Sequence, residues 1–198
     1  MRLYCSPASP FVRKCRIVVR EKGLEGRVEE VFTNPYASEP DLIAANPIAQ
    51  VPALAADDGM VIIDSPIICA WLDEAGEGPR LLPPSGPDHW RVRRVEALAD
   101  AVLEVGVKQL LELRRPESER SPSWIERWKA GLGRALDALE AECPQPERFD
   151  LGAVAAAVAL TWLDFRHPSY DWKTGRPRLQ ALQAALETRD SFRATVPR

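Results

Sequence analysis

Four cysteines, two histidines and two methionines are all that this 198-residue chain offers as soft metal ligands or redox groups. No two of Cys5, Cys15, Cys69 and Cys143 form a Cys-x-x-Cys pair, which disfavours dithiol exchange and zinc ribbons, and their spacing suggests no disulfide framework. His89 and His167 stand alone, with no carboxylate or cysteine at ligand spacing, so no metal is expected. The opening residues lack the apolar stretch of a secretory signal. The uncharged run Leu151–Leu163 is too short to span a bilayer and suits a buried helix. A dense basic stripe is also missing: Arg91, Arg93 and Arg94 come nearest, and a solvated helix face accounts for them. The expectation is a cytoplasmic protein in a reducing setting, with neither a nucleic acid nor a membrane as partner.

What is present is a normal globular balance, 45% hydrophobic and 28% charged residues. Residues 1–78 carry 7 basic and 12 acidic side chains, a net of −5, and residues 79–198 carry 19 and 17, a net of +2. Arg2–Cys5 reads as a first strand. After the turn cluster Ser6-Pro7-Ala8-Ser9-Pro10, Phe11–Lys22 has helical spacing, with Phe11, Cys15, Val18 and Val19 on one stripe and Gly23 closing it. Val28–Thr33 reads as a strand and Asp41–Ala45 as a short helical turn stopped by Asn46-Pro47. Val51–Ala55 and Val61–Ile63 form a hairpin around Asp57-Asp58-Gly59. A helix follows, with Ser65 expected as N-cap and Pro66 at its first position. The Pro-rich stretch 81–87 is a linker by composition. Beyond it only helices are predicted, over Trp90–Leu113, Ser123–Ala141, Phe149–Phe165 and Leu179–Leu186. Trp124, Trp128, Leu132, Leu136 and Leu139 are the recurring apolar residues of the second of these.

Three places in the first 78 residues can carry chemistry. Ser9 before Pro10 is a good N-cap, and a helix start also presents unpaired N–H groups and partial positive charge to an anion. A thiolate there, hydrogen-bonded by the Ser9 hydroxyl, has its pKa lowered from the free value of about 8.5. Gln50-Val51-Pro52 opens a strand; its proline is either an ordinary edge residue or part of a cis bond that turns the Val51 backbone toward an extended peptide. Asp64-Ser65-Pro66 is either a well-capped helix start or a carboxylate site with an acid beside it for an ammonium group.

Taken together, Ser-Pro-Ala-Ser-Pro-Phe-Val-Arg-Lys (6–14), Asn-Pro-Ile-Ala-Gln-Val-Pro-Ala-Leu (46–54) and Asp-Ser-Pro-Ile-Ile (64–68) resemble the cytosolic glutathione transferases, in flavour the small bacterial, serine-using members. The helical remainder, with Phe149–Arg166 similar to that family's central helix, extends the resemblance along the whole chain. It implies an α/β thioredoxin-like N-terminal domain (1–78), a linker (79–87) and an all-α C-terminal domain (88–198). It also implies glutathione as co-substrate and a homodimer acting on a small, electrophilic, hydrophobic molecule. In that light Ser9 is the catalytic serine that stabilises the glutathione thiolate, and Val51, beside a cis Pro52, pairs with the cysteinyl backbone. Asp64 and Ser65 hold the γ-glutamyl end, and Gln50 reaches for the glycyl carboxylate. Phe11, Val107 and Trp162 are candidates for acceptor-pocket walls between the domains, with core packing the other reading of Trp162. Asp100 is either an acid reaching across a dimer interface or a solvated helix carboxylate.

The sequence departs from the family pattern in two places. Glu147 stands where the capping box before the central helix begins with Ser or Thr, so that cap is expected to shift or weaken, with Asp150 at the fourth position of the box. Asp64 replaces a commoner glutamate or glutamine and is one methylene shorter. Three alternatives stay open. One is a non-catalytic scaffold on the same fold. Another is glutathione-dependent displacement or reduction, and the last is a thiol oxidoreductase using Cys5.

Overall fold

The computed structural model describes residues 1–145 and 147–198. Along the chain run β1 (Arg2–Cys5), α1 (Pro10–Glu21), β2 (Glu29–Phe32), α2 (Pro40–Ala45), β3 (Ala53–Ala55), β4 (Val61–Ile63) and α3 (Ser65–Ala75). Then follow α4 (Gly86–Leu113), α5 (Pro122–Ala141), α6 (Leu151–Arg166), α7 (Pro177–Leu186) and α8 (Asp190–Arg193), with a 3-10 turn at Glu117–Glu119. The chain divides into two compact units, Met1–Leu82 with Arg189–Arg198, and Pro83–Thr188.

The first unit is built on a four-stranded sheet of order β2-β1-β3-β4. β1 and β2 are parallel, whereas β3 is antiparallel to both β1 and β4. Alternation along these short strands gives each face its own core. Tyr4 and Ala53 pack with Leu42 and Ala45 of α2. Leu3 and Leu54, fully buried, belong to the opposite face, where α1 and α3 pack against one another. This is the thioredoxin-like arrangement expected from the sequence.

The ends of the first unit differ from the sequence reading. Leu81 and Leu82, expected in a linker, are buried and donate their N–H groups to Asp73 of α3 at 2.9 and 3.0 Å. Asp73 also pairs with Lys22 at 3.1 Å, both side chains being 1% exposed. Lys22 in turn donates to the Pro79 carbonyl at 3.0 Å. A buried pair with its remaining hydrogen-bonding capacity used is one that can be retained, and it pins the chain as far as Leu82. The last ten residues, expected with the helical domain, group with this unit because α8 packs on α1. Arg189 donates to Glu21 at 2.9 and 2.6 Å, Ser191 donates to the same carboxylate, and Arg13 donates to the Phe192 carbonyl at 3.2 Å.

The second unit is all helical. Two glycines let its helices approach closely. A Cβ at Gly152 of α6 would stand 3.0 Å from the Cβ of Val95 on α4, and one at Gly106 of α4 would stand 2.7 Å from the Trp162 ring. The ten residues Leu151–Leu160 are all buried, as the run of small apolar residues predicts. The cap of α6 has shifted to Asp150, whose carboxylate accepts the Ala153 N–H at 2.9 Å and a charged bond from Arg91 at 2.7 Å. The α5 stripe holds for Leu132, Leu136 and Leu139, which are fully buried, but Trp124 is 51% exposed and packs on Trp128 with ring centroids 5.6 Å apart.

Candidate functional site

Strand register gathers the three candidate segments at one end of the sheet. Tyr4 pairs with Ala53, and Ala53 pairs with Ile63. The end of β1, the start of β3 and the end of β4 therefore lie side by side, and Ser9, Val51-Pro52 and Asp64-Ser65 are attached to those three ends.

Ser9 is the N-cap of α1, with φ −79° and ψ 123° and Pro10 opening the helix. Its hydroxyl oxygen accepts the Val12 N–H at 3.3 Å, and its own N–H donates to the Ser6 carbonyl at 3.1 Å. Accepting that bond uses a lone pair and leaves the hydroxyl proton available to a further acceptor. Phe11, in the first turn, is half-buried.

The Val51–Pro52 peptide bond is cis. Among the described residues no hydrogen bond engages the Val51 N–H or C=O, so an edge of backbone polar groups stands open beside the Ser9 helix start. This loop has a brace that sequence reasoning passed over. Asn46, 3% exposed, donates to the Gln50 carbonyl at 2.8 Å and accepts the Ile48 N–H at 3.3 Å. Its only signal in the sequence is the Asn-Pro turn dipeptide. The Gln50 side chain is exposed.

At the third segment the expected cap moves by one residue. Asp64 is the N-cap of α3, Ser65 is the first helical residue and Pro66 the second. Asp64 sits at φ 72°, ψ 125°, a left-handed conformation unfavourable for a residue with a Cβ. Backbone of this kind persists where the surroundings impose it and concentrates at ligand clamps. Ser65 is 2% exposed, and its hydroxyl is buried with no hydrogen-bond partner among the described residues. An orphaned buried hydroxyl costs about 1–3 kcal/mol. It stands at a helix N-terminus, where an anion completes the hydrogen bonding.

The remaining candidates fall elsewhere. Cys5, at the same end of the sheet, is fully buried, bonds its thiol to the Leu3 carbonyl at 3.2 Å, and has a pKa pushed up to about 12 by burial. It is a packed thiol, contrary to the oxidoreductase alternative. In the second unit, Asp100 is 9% exposed, so the solvated-carboxylate reading does not hold. Trp162 is 3% exposed and meets His167 edge-on, with centroids 5.5 Å apart. Val107 is half-buried on α4. Among the described residues no group of three or more His, Cys, Asp or Glu is arranged to hold a metal ion, and no helix is long and apolar enough to cross a membrane.

Residues 8–75 match the family model of the glutathione S-transferase N-terminal domain, and residues 122–182 match that of the C-terminal domain. The chain is 33% identical over 201 residues to the uncharacterized GST-like protein YibF of Escherichia coli, covering 100% of this chain and 98% of that protein. The chain belongs to the glutathione S-transferase family. A crystal structure of a glutathione transferase family member from Pseudomonas fluorescens Pf-5, with bound glutathione, superposes with a TM-score of 0.93 at 35% identity, covering 100% of this chain and 98% of that one. The maleylpyruvate isomerase of Ralstonia sp is 28% identical over 207 residues, covering 100% of this chain and 97% of that enzyme. Family membership thus joins the thioredoxin-like sheet and its helical companion in one glutathione S-transferase architecture.

Proposed function

We propose that this glutathione S-transferase is an enzyme that binds glutathione across the shared end of β1, β3 and β4 and activates its thiol for attack on a small electrophile. The observation that carries this reading is Ser9. Its oxygen is held by the Val12 N–H at the start of α1, and its proton remains to be donated. A sulfur placed there accepts that proton in a hydrogen bond and feels the positive end of the helix. Both effects favour thiolate over thiol. The serine stays uncharged and forms no covalent bond; it lowers the thiol's pKa and fixes its position.

The rest of the tripeptide finds complementary groups. The open N–H and C=O of Val51 pair with the cysteinyl backbone as one extended strand pairs with another. The unpartnered Ser65 hydroxyl and the N–H groups of the first turn of α3 receive the γ-glutamyl carboxylate, and Asp64 receives the ammonium. Gln50, exposed beside them, reaches for the glycyl carboxylate. The bound glutathione in the P. fluorescens relative supports glutathione as the ligand.

In the chemical step the thiolate lone pair forms a C–S bond to the electrophilic carbon. The displaced electron pair leaves with a departing group or moves into a conjugated acceptor, and the thiol proton has already gone to solvent. If the same thiolate adds, permits rotation and departs again, the outcome is isomerisation, a second reading favoured by the likeness to maleylpyruvate isomerase. A cytoplasmic homodimer acting on a small molecule completes the proposal, and the four unpaired, buried cysteines fit a reducing compartment. The test is thermal denaturation with and without glutathione, followed by a panel of electrophiles and maleyl-type substrates for wild type, Ser9→Ala and Cys5→Ala. A glutathione-dependent rise in Tm with turnover that falls only in Ser9→Ala supports the reading. The absence of any shift at millimolar glutathione supports a scaffold instead.

A further inference from the structure

The first unit carries a second charged cleft, beside α1 where α8 and the residues after it pack. It encloses ≈ 230 Å³ and is lined by Arg16, Arg193 and Arg198, with Ala194, Val196 and Pro197 as small apolar walls. None of these is a residue assigned to glutathione, and no acidic side chain is among them. Like charges gathered around a small recess repel one another, and the recess concentrates their field.

Each guanidinium keeps donors to offer. Arg16, 9% exposed, is held by its Nε, which donates to Glu30 at 2.8 Å, and by the Phe32 ring, 5.6 Å away. Glu30 is also engaged by Arg20 at 2.7 Å. One edge of the Arg16 guanidinium is thereby fixed, while its terminal nitrogens have no hydrogen-bond partner among the described residues. Arg193 meets Asp190 of its own helix, at 3.7 Å with both side chains well exposed, a weak attachment. The side chain of Arg198 makes no ion pair among the described residues; its backbone N–H reaches the Pro7 carbonyl at 3.5 Å. One preset fork and two adaptable ones suit a tetrahedral oxyanion carrying more than one negative charge, which accepts several charge-assisted bonds at once.

We propose that this cleft is a binding site for a phosphate-type dianion, either the free anion or the phosphate group of a small phosphomonoester.

The test is titration of the 198-residue chain with inorganic phosphate at constant ionic strength, read by calorimetry and by Tm, in wild type and in Arg193→Ala/Arg198→Ala. Both replaced side chains are exposed, so the variant is expected to keep the wild-type Tm without ligand. The expected result is saturable binding that raises Tm in wild type and weakens about tenfold or more in the variant, with any response to glutathione the same in both proteins. A nucleoside 5′-monophosphate that competes with phosphate identifies an ester as ligand, and one that does not identifies the free anion. Non-saturable phosphate binding, or equal affinity in wild type and variant, overturns the proposal. Loss of the glutathione response in wild type leaves it intact and sinks only the reading of the Ser9 site.

Discussion

The Ser9 hydroxyl oxygen accepts the Val12 N–H at 3.3 Å. One residue thus both caps the first helix and presents a donor proton at its start. Ser9→Ala removes both. The lost cap is expected to cost about 1 kcal/mol of stability, measurable by urea denaturation, and a lost hydrogen bond to a charged sulfur is expected to lower kcat/KM by roughly ten- to a hundredfold at neutral pH. A variant that loses the stability but keeps the rate would show that Ser9 is only a cap.

Ser65 gives a prediction with opposite signs. Its hydroxyl is buried and has no partner among the described residues, so Ser65→Ala is expected to leave the free protein as stable as wild type or up to about 1 kcal/mol more stable. Glutathione affinity is expected to fall at the same time. Parallel denaturation and binding titrations separate this from a purely structural hydroxyl, whose removal would lower stability and leave affinity alone.

The Lys22–Asp73 pair, at 3.1 Å and 1% exposed on both sides, organises the end of the first unit. Asp73→Asn leaves Lys22 buried beside a neutral partner, and the expected loss is about 3–5 kcal/mol. The Lys22→Met/Asp73→Asn double variant removes the buried charge and keeps an oxygen acceptor for the Leu81 and Leu82 N–H groups, and it is expected to recover part of that loss. Denaturant midpoints check both, and an additive double variant would contradict the coupling.

His167 sets an acid limit on the second unit. Burial lowers its pKa below 6.5, opposed by its bond to the Gly106 carbonyl at 3.0 Å. The unfolded chain therefore takes up this proton at a higher pH than the folded one. The contribution to stability is complete above 6.5 and falls as the pH drops from there toward the folded-state value. Replacement by Gln is expected to flatten that part of the stability–pH curve.

Cys5 is expected to behave as a core residue. With its pKa pushed up to about 12 by burial, it should resist alkylation in the native state at pH 8, and Cys5→Ala should retain glutathione-dependent turnover. Rapid labelling of Cys5 accompanied by loss of activity would return the thiol oxidoreductase to consideration.

Much of the first unit is legible locally. Short apolar runs punctuated by Pro, Gly and Asp-Gly place β1, α1, the hairpin and α3 to within a residue or two, and Ser9 is a cap by residue type alone. What is not legible depends on backbone conformation or on distant partners. Ser65-Pro66 looks like cap and first helical residue, but Asp64 takes the cap at φ 72°, which no local preference of aspartate announces. Lys22 and Asp73 read as ordinary surface charges until the fold joins them across 51 residues of sequence. The helical period of α5 is correct, yet it does not say where burial stops, and Trp124 at its first turn is half exposed. The four-residue α8 is too short to show a period, and its attachment through Glu21 and Arg13 is entirely tertiary. Asp150 shows the opposite case, since a misplaced capping box in the sequence does mark a shifted cap.

The central claim is that Ser9 stabilises the thiolate of bound glutathione, and the most direct measurement is the pKa of that thiol in the complex, followed by ultraviolet thiolate absorbance against pH. Wild type is expected to titrate at least about one unit below the free thiol, with Ser9→Ala shifted back toward the free value while still binding glutathione. Equal pKa values for wild type and Ser9→Ala would contradict the account.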